Sequence, residues 1–151
     1  MRWSGPVGLK GWAARAGVCL VAVLALVAAA QEGETAGVAV SSGVYGEEQA
    51  TVGAEVYSRR CSGCHGAELA GGFGPRLAPL SSFWHGRSLA ELYSFVSQYM
   101  PFDAPGTLSA EEYAQAVAFI LSRNGYPAGV ADLAADAEVL AGFIIDAPQA
   151  E

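Results

Sequence analysis

The chain has 151 residues, enough for one domain with additional segments, and only 15% of them are charged. Its formal net charge is -7, and all 15 acidic residues follow residue 31, where five arginines and no lysine accompany them. Such an acidic surface argues against binding to nucleic acid or to anionic lipid headgroups, and it favours a partner with a basic patch.

Residues 1–30 have the pattern of an export signal. Three basic residues accompany an uncharged, mostly apolar run of 15 residues from Ala16 to Ala30. A membrane-spanning helix needs about 20 apolar residues, so we favour a cleaved signal peptide and keep an uncleaved membrane anchor as the alternative. Cys19 is a poor lipidation site because the bulky Val18 precedes it. We therefore expect a periplasmic or otherwise exported protein, membrane-attached only if this segment is retained.

Residues 31–50 show neither a helical nor a strand period, and this pattern predicts a flexible linker. Thr51 is the candidate N-cap of a first helix, which begins a domain over residues 51–128. Gly53 and Tyr57 lie on one face of that helix, four residues apart. Glycine inside a helix costs about 1 kcal/mol relative to alanine, and its presence here indicates that another helix passes very close.

The first helix leads into Cys61-Ser62-Gly63-Cys64-His65, the C-x-x-C-H pattern of covalent c-type haem attachment. Two thiols at this spacing can each form a thioether with one vinyl group of the same porphyrin. The residue after the second cysteine then lies beneath the ring, where an imidazole can bind iron. We predict one covalently bound haem c, attached through Cys61 and Cys64, with His65 as an axial ligand of its iron.

Two other interpretations of this motif do not fit the rest of the chain. A structural zinc site needs about four Cys or His ligands, whereas the sequence has three cysteines and two histidines, and Cys19 lies in the export signal. A thioredoxin-like C-x-x-C would accompany a βαβ pattern, and no strand pattern precedes Cys61. Haem attachment also agrees with export, because bacterial c-type haem is attached outside the cytoplasmic membrane.

The remaining residues predict an all-α fold of three to four helices around the haem. Glycines and prolines make residues 67–83 a loop, and capping boxes at 88–91 and 109–112 begin two amphipathic helices. The first must end near Met100, because Pro101 disfavours helical geometry in the residue before it; the second ends at Asn124-Gly125. Residues 129–151 form a C-terminal tail with a short helix between Asp136 and Ala141.

These features resemble class I cytochrome c over roughly residues 49–127. The resemblance implies that Gly53 and Tyr57 pack against Phe119 where the first and last helices cross. The family's Gly-Pro-x-Leu loop corresponds to Gly74-Pro75-Arg76-Leu77. It implies that the carbonyl of Pro75 accepts the Nδ1 proton of the haem histidine. The family's distal ligand, a methionine followed by proline, corresponds to Met100.

A narrower resemblance joins the chain to the cytochrome c domains that accompany quinoprotein (PQQ) dehydrogenases. It depends on loop phrases and on the spacing of tail residues, namely Met100-Pro101, Pro105-Gly106-Thr107-Leu108-Ser109, Asn124-Gly125-Tyr126-Pro127-Ala128-Gly129, and Leu133, Asp136 and Leu140. This resemblance implies a dehydrogenase of that type as the electron donor.

The distal ligand and the propionate contacts each have two interpretations. Met100 is the predicted distal ligand, since Met1 is the only other methionine; His85 is the competitor, which would give a bis-His iron, or else a surface residue or propionate neighbour. Trp84 and Arg87 are candidate propionate contacts, because arginine is the natural partner of a carboxylate. The alternative is a core tryptophan and a solvated arginine.

His/Met ligation fills both axial positions and predicts a one-electron carrier, not itself an enzyme, between a dehydrogenase and an acceptor such as a terminal oxidase. Two alternatives remain: a haem enzyme or sensor with a labile sixth ligand, and a haem subunit of a respiratory or dehydrogenase complex.

Overall fold

The computed structural model describes Met1 and residues 37–147, so the predicted export signal and Cys19 lie outside the described residues. The predicted all-α class is confirmed, with five α-helices in the described part of the chain. In chain order the elements are β1 (Val38–Ala39), a 3-10 helix (Val40–Ser42), α1 (Glu47–Arg60), α2 (Ser62–His65), a second 3-10 helix (Ser82–Trp84), α3 (Leu89–Tyr99), α4 (Ala110–Arg123), α5 (Ala137–Leu140) and β2 (Phe143–Ile144).

The linker prediction is wrong from residue 37 onward. Val40 is fully buried and Tyr45 is 3% exposed. The hydroxyl of Tyr45 donates a hydrogen bond to the carbonyl of Tyr126. Gln49 is 4% exposed, and its side-chain amide makes two hydrogen bonds with the backbone of Leu133. Residues 37–50 therefore belong to the packed fold and have a fixed conformation.

Helix α1 begins earlier than predicted, at Glu47, with Gly46 as its N-cap residue. Glu47 and Glu48 lie in the first turn, where acidic side chains interact favourably with the positive end of the helix dipole. Thr51 lies inside the helix, and its hydroxyl donates to the carbonyl of Glu47 at 3.1 Å. Thr51 is therefore not the N-cap, because its side chain bonds back to the preceding turn.

The two ends of the described segment meet in a small parallel sheet that the sequence did not predict. Val38 pairs with Phe143, and Ala39 pairs with Ile144. The C-terminal tail is packed into the core through Leu133, Leu140 and Ile145, each of which is at most 2% exposed. Its predicted short helix is present as α5, and the carboxylate of Asp136 caps it by accepting the N–H of Glu138 at 2.8 Å.

The predicted crossing of the helix that carries Gly53 and Tyr57 (α1) with the helix that carries Phe119 (α4) is confirmed. A Cβ added at Gly53 would overlap the carbonyl oxygen of Gln115 on α4 and would lie 3.1 Å from Cβ of Phe119. The rings of Tyr57 and Phe119 pack with their centroids 5.2 Å apart. Glycine is required at residue 53 because the α4 backbone occupies the place of a side chain.

Both predicted capping boxes are present. Ser88 and Ser109 each accept a hydrogen bond from the N–H of the glutamate three residues later, and each glutamate bonds back to the serine N–H. Helix α3 ends at Tyr99, before the Met100-Pro101 bond, and α4 ends at Arg123. None of the helices within residues 37–147 is long and apolar enough to cross a membrane.

Candidate haem-binding site

The C-x-x-C-H motif forms a single helical turn at the end of α1. Cys61 lies between α1 and α2, and its carbonyl accepts the N–H groups of Cys64 at 3.1 Å and of His65 at 3.0 Å. This turn brings two thiols and an imidazole together, with Cys61 half-buried, Cys64 exposed and His65 9% exposed. Burial raises the pKa of the Cys61 thiol to about 11, although the nearby charge of Arg60 opposes the shift. The thiol is therefore protonated at neutral pH, unlike that of a catalytic thiolate.

The imidazole of His65 is oriented by the hydrogen bond that the family resemblance implies. Its Nδ1 lies 2.8 Å from the carbonyl oxygen of Pro75. A carbonyl can only accept, so the proton is on Nδ1, and Nε2 keeps the lone pair that a metal ligand needs. This pair fits an axial iron ligand with a defined tautomer.

The loop after His65 lies against the imidazole because Gly74 has no side chain. A Cβ at Gly74 would lie 2.7 Å from Cε1 and 2.8 Å from Nδ1 of His65. Backbone hydrogen bonds hold the loop in this position, from Gly74 to the Cys64 carbonyl and from Gly71 to the His65 carbonyl. From the sequence, Gly71 was predicted only to interrupt helical structure, whereas Gly74 also belonged to the Gly-Pro-x-Leu phrase of the family.

The other predicted ligand, Met100, lies where α3 ends. Its backbone N–H donates to the carbonyl of Val96 at 3.0 Å, and its extended conformation turns the chain out of the helix. The hydroxyl of Tyr113 on α4 donates to the carbonyl of Met100 at 2.6 Å. Tyr113 lies in the amphipathic helix predicted after the capping box at 109–112, and no sequence pattern indicates this contact.

Trp84 belongs to a series of aromatic rings that follows α3 towards Met100. Its ring centroid lies 5.2 Å from that of Phe83 and 5.6 Å from that of Phe95, whose ring in turn lies 5.3 Å from that of Tyr99. Trp84 is half-buried in this series. Its contact with a haem propionate stays a prediction.

Arg87 is engaged by neighbours from the protein itself. Its guanidinium bonds to the carboxylate of Glu91 at 2.8 Å, donates from Nε to the carbonyl of Phe83 at 3.0 Å, and lies 4.0 Å above the Phe83 ring. The pKa of Glu91 is lowered, chiefly by the hydrogen bond that its carboxylate accepts from the Ser88 backbone and also by Arg87. The propionate role of Arg87 therefore stays a prediction without a supporting contact.

His85 follows the second 3-10 helix, and it is less exposed than a surface residue. Its Nε2 is buried and has no hydrogen-bond partner within the described residues. The turn around it is fixed to the tail, because Gly86 donates to the carbonyl of Ile145 at 2.7 Å.

The donor set of this site fits a covalently attached haem. Two adjacent thiols suit thioether attachment, and the imidazole and thioether suit the two axial positions of a haem iron. Among residues 37–147, no group of three or more His, Cys, Asp or Glu side chains is arranged to hold a metal ion by itself.

A family model matches most of the helical part of the chain. Residues 48–120, from the start of α1 into the last turns of α4, match the family model of cytochrome c oxidase, cbb3-type, subunit III. A solved structure, the sulfane dehydrogenase SoxCD from Paracoccus pantotrophus, has 20% identity and a TM-score of 0.42 over 80% of this chain. The matched region is 59% of the length of that chain. No curated protein sequence matches.

Proposed function

Because this chain carries a class I c-type cytochrome domain, which binds haem c covalently, we propose that it carries single electrons between an exported dehydrogenase and a downstream acceptor such as a terminal oxidase. Cys61 and Cys64 would hold the haem through thioethers, and His65 and Met100 would bind its iron. The haem would supply the ferric–ferrous couple. With both of these side chains on the iron, no position would remain for a substrate, so the chemistry supplied would be electron transfer without bond formation.

The observation that best supports this proposal is the hydrogen bond from His65 Nδ1 to the carbonyl of Pro75. It fixes the tautomer before the metal binds, and it makes the imidazole a better electron donor. Pro75 is therefore proposed as a haem-binding residue through its carbonyl.

A quinoprotein dehydrogenase is the donor class we favour. The argument depends on the loop phrases near Pro105 and Asn124. Asn124 has a structural role: its side chain donates to the carbonyl of Leu77 at 2.7 Å and accepts the N–H of Leu80. The sequence that begins with Asn124 after α4 thus holds the loop that follows Pro75 in position.

The surface charge indicates how such a partner would dock. Within residues 37–147, three of the arginines are already paired with carboxylates, in Arg59–Glu55, Arg87–Glu91 and Arg123–Glu68. These pairings reduce the free positive charge on an already acidic chain. We propose that the donor or acceptor presents a basic patch, so that association slows as salt screens the attraction.

The test uses the exported, haem-loaded protein. We expect haem to remain bound after denaturation, a one-electron redox titration, and rapid reduction by a quinoprotein dehydrogenase at low salt that slows at high salt. Carbon monoxide should bind the ferrous protein weakly. Tight carbon monoxide binding by the wild type would instead favour a haem enzyme or sensor, and reduction independent of salt would contradict the basic partner.

A further inference from the structure

The loop from residue 100 to residue 107 begins with Met100, the candidate distal ligand, and few contacts hold this loop to the fold. Pro101 is its only buried residue; Phe102, for example, is 84% exposed. Its internal hydrogen bonds are local turn contacts, from Ala104 to the Pro101 carbonyl and from Thr107 to the Ala104 carbonyl. A surface segment with so little buried area opens at a low free-energy cost unless something fastens its ends.

One side chain fastens both ends of this loop. The hydroxyl of Tyr113 donates to the carbonyl of Met100 at 2.6 Å, and its oxygen accepts the N–H of Leu108 at the longer distance of 3.5 Å. Tyr113 is 3% exposed and lies in the second turn of α4, so its ring is fixed by the core. A buried hydroxyl on a rigid helix makes a stronger anchor than a flexible surface side chain, because little conformational entropy is lost on bonding.

We propose that Tyr113 is a positioning residue for the distal ligand. Its hydroxyl fixes the Met100 backbone, and this contact keeps the thioether at the iron against competing ligands. The inference depends on the proposed ligation by Met100. Tyr113 acts through the carbonyl of Met100, whose N–H is already bonded to Val96. Both polar backbone groups of Met100 are thus engaged.

Removing this anchor should increase the fraction of molecules in which the thioether has left the iron. External imidazole binds only to that fraction, so its apparent dissociation constant reports the opening equilibrium. Tyr113→Phe removes the hydroxyl and keeps the ring. We expect imidazole to bind about tenfold more tightly, which corresponds to the loss of one hydrogen bond of about 1.4 kcal/mol.

Tyr93→Phe is the matched control. Tyr93 is also buried, at 7% exposure, and its hydroxyl donates to the carbonyls of Ala110 and Ala135, neither of which belongs to a ligand residue. This variant loses a comparable hydrogen bond and should bind imidazole as the wild type does. Denaturant unfolding of both variants measures the general loss of stability, which a purely structural role of Tyr113 would also produce.

The experiment measures the far-red thioether-to-iron band and titrates imidazole into the ferric forms of the wild type and both variants. Tighter imidazole binding by Tyr113→Phe alone, with the band present, supports the inference. An unchanged dissociation constant in Tyr113→Phe, or an equal change in Tyr93→Phe, would overturn the inference while leaving Met100 as ligand. Absence of the band from the wild type would overturn both the ligation and the role of Tyr113.

Discussion

Each candidate iron ligand, His65 and Met100, is followed by a loop, and the two loops are held to the helices in different ways. On the His65 side, backbone groups of neighbouring residues bond to one another, and the Tyr57 hydroxyl adds a bond of 2.7 Å to the Gly66 carbonyl. On the Met100 side, the Tyr113 hydroxyl of α4 bonds to the Met100 carbonyl, and the exposed Arg60 of α1 bonds to the Thr107 hydroxyl at 3.2 Å. The His65 loop is therefore held mainly by its own backbone, whereas the Met100 loop is held mainly by side chains from two helices.

Gly53→Val should have the largest effect, because it pushes α1 away from α4. The loop after His65 is attached to α1, and the loop after Met100 is attached to α4 through Tyr113. The added side chain would meet the Gln115 backbone, which cannot move without displacing α4 and Tyr113 with it. We expect a loss of about 3 kcal/mol or more in the free energy of unfolding of the holoprotein, measured by denaturant titration. Thr51→Val, which places the same side chain at an exposed position of α1, should have little effect. Equal stability of the two variants would contradict the crossing.

Met100→Ala should remove the iron ligand on the Met100 side and leave the His65 side unchanged. The sixth position then becomes open or water-filled, the reduction potential falls because a thioether stabilises ferrous over ferric iron, and carbon monoxide binds readily. The thioether band should disappear while the haem stays attached through Cys61 and Cys64. His85→Ala is the control and should keep the band. A band that survives in Met100→Ala would contradict Met100 as its source, and absence of the band from the wild type would make His85 the leading candidate ligand.

A smaller effect, confined to the other side, should follow from Gly74→Ala. The methyl group would overlap the His65 ring and move the loop, which lengthens the bond from Nδ1 to the Pro75 carbonyl. We expect a stability loss of about 1–3 kcal/mol and a higher reduction potential, since the imidazole becomes a weaker donor. The control is Gly142→Ala, where an added methyl would meet only the Val139 carbonyl at 3.7 Å. Wild-type potential and stability in Gly74→Ala would refute the close approach.

The smallest effect should be that of Tyr57→Phe, the counterpart of Tyr113→Phe. The variant loses the bond to Gly66, and we expect about 1 kcal/mol less stability. Backbone bonds still hold the His65 loop, so imidazole affinity should stay at the wild-type value. If Tyr57→Phe and Tyr113→Phe changed imidazole affinity equally, the proposed difference between the two sides would be wrong.

Much of the helical framework was predictable because its signals are local. The capping serines at 88 and 109 act on residues three positions away, and Pro101 acts on its direct neighbour. The C-x-x-C-H motif is local in the same sense, since one helical turn brings its three functional groups together. The resemblance to class I cytochrome c extended this to the pair of His65 and Pro75.

Other contacts were decided only by the tertiary structure. Gln49 and Leu133 are 84 residues apart, and their reciprocal hydrogen bonds leave no periodic trace in the sequence. The strands at Val38–Ala39 and Phe143–Ile144 are too short for an alternating pattern to reveal. A linker and a tail were predicted there because each segment by itself lacks a long helical or strand period. In the folded protein each supplies hydrogen-bond partners for the other.

The same distinction applies within the candidate site. The residue types of the motif determined which groups can attach a haem and bind its iron, because thioether formation and imidazole ligation require those atoms at that spacing. Which hydroxyl holds Met100 was decided by the packing of α4, since Tyr113 shares its helix face with residues that contact only the core. Its hydrogen bond depends on where α3 ends relative to α4, and that distance is set by the folded core.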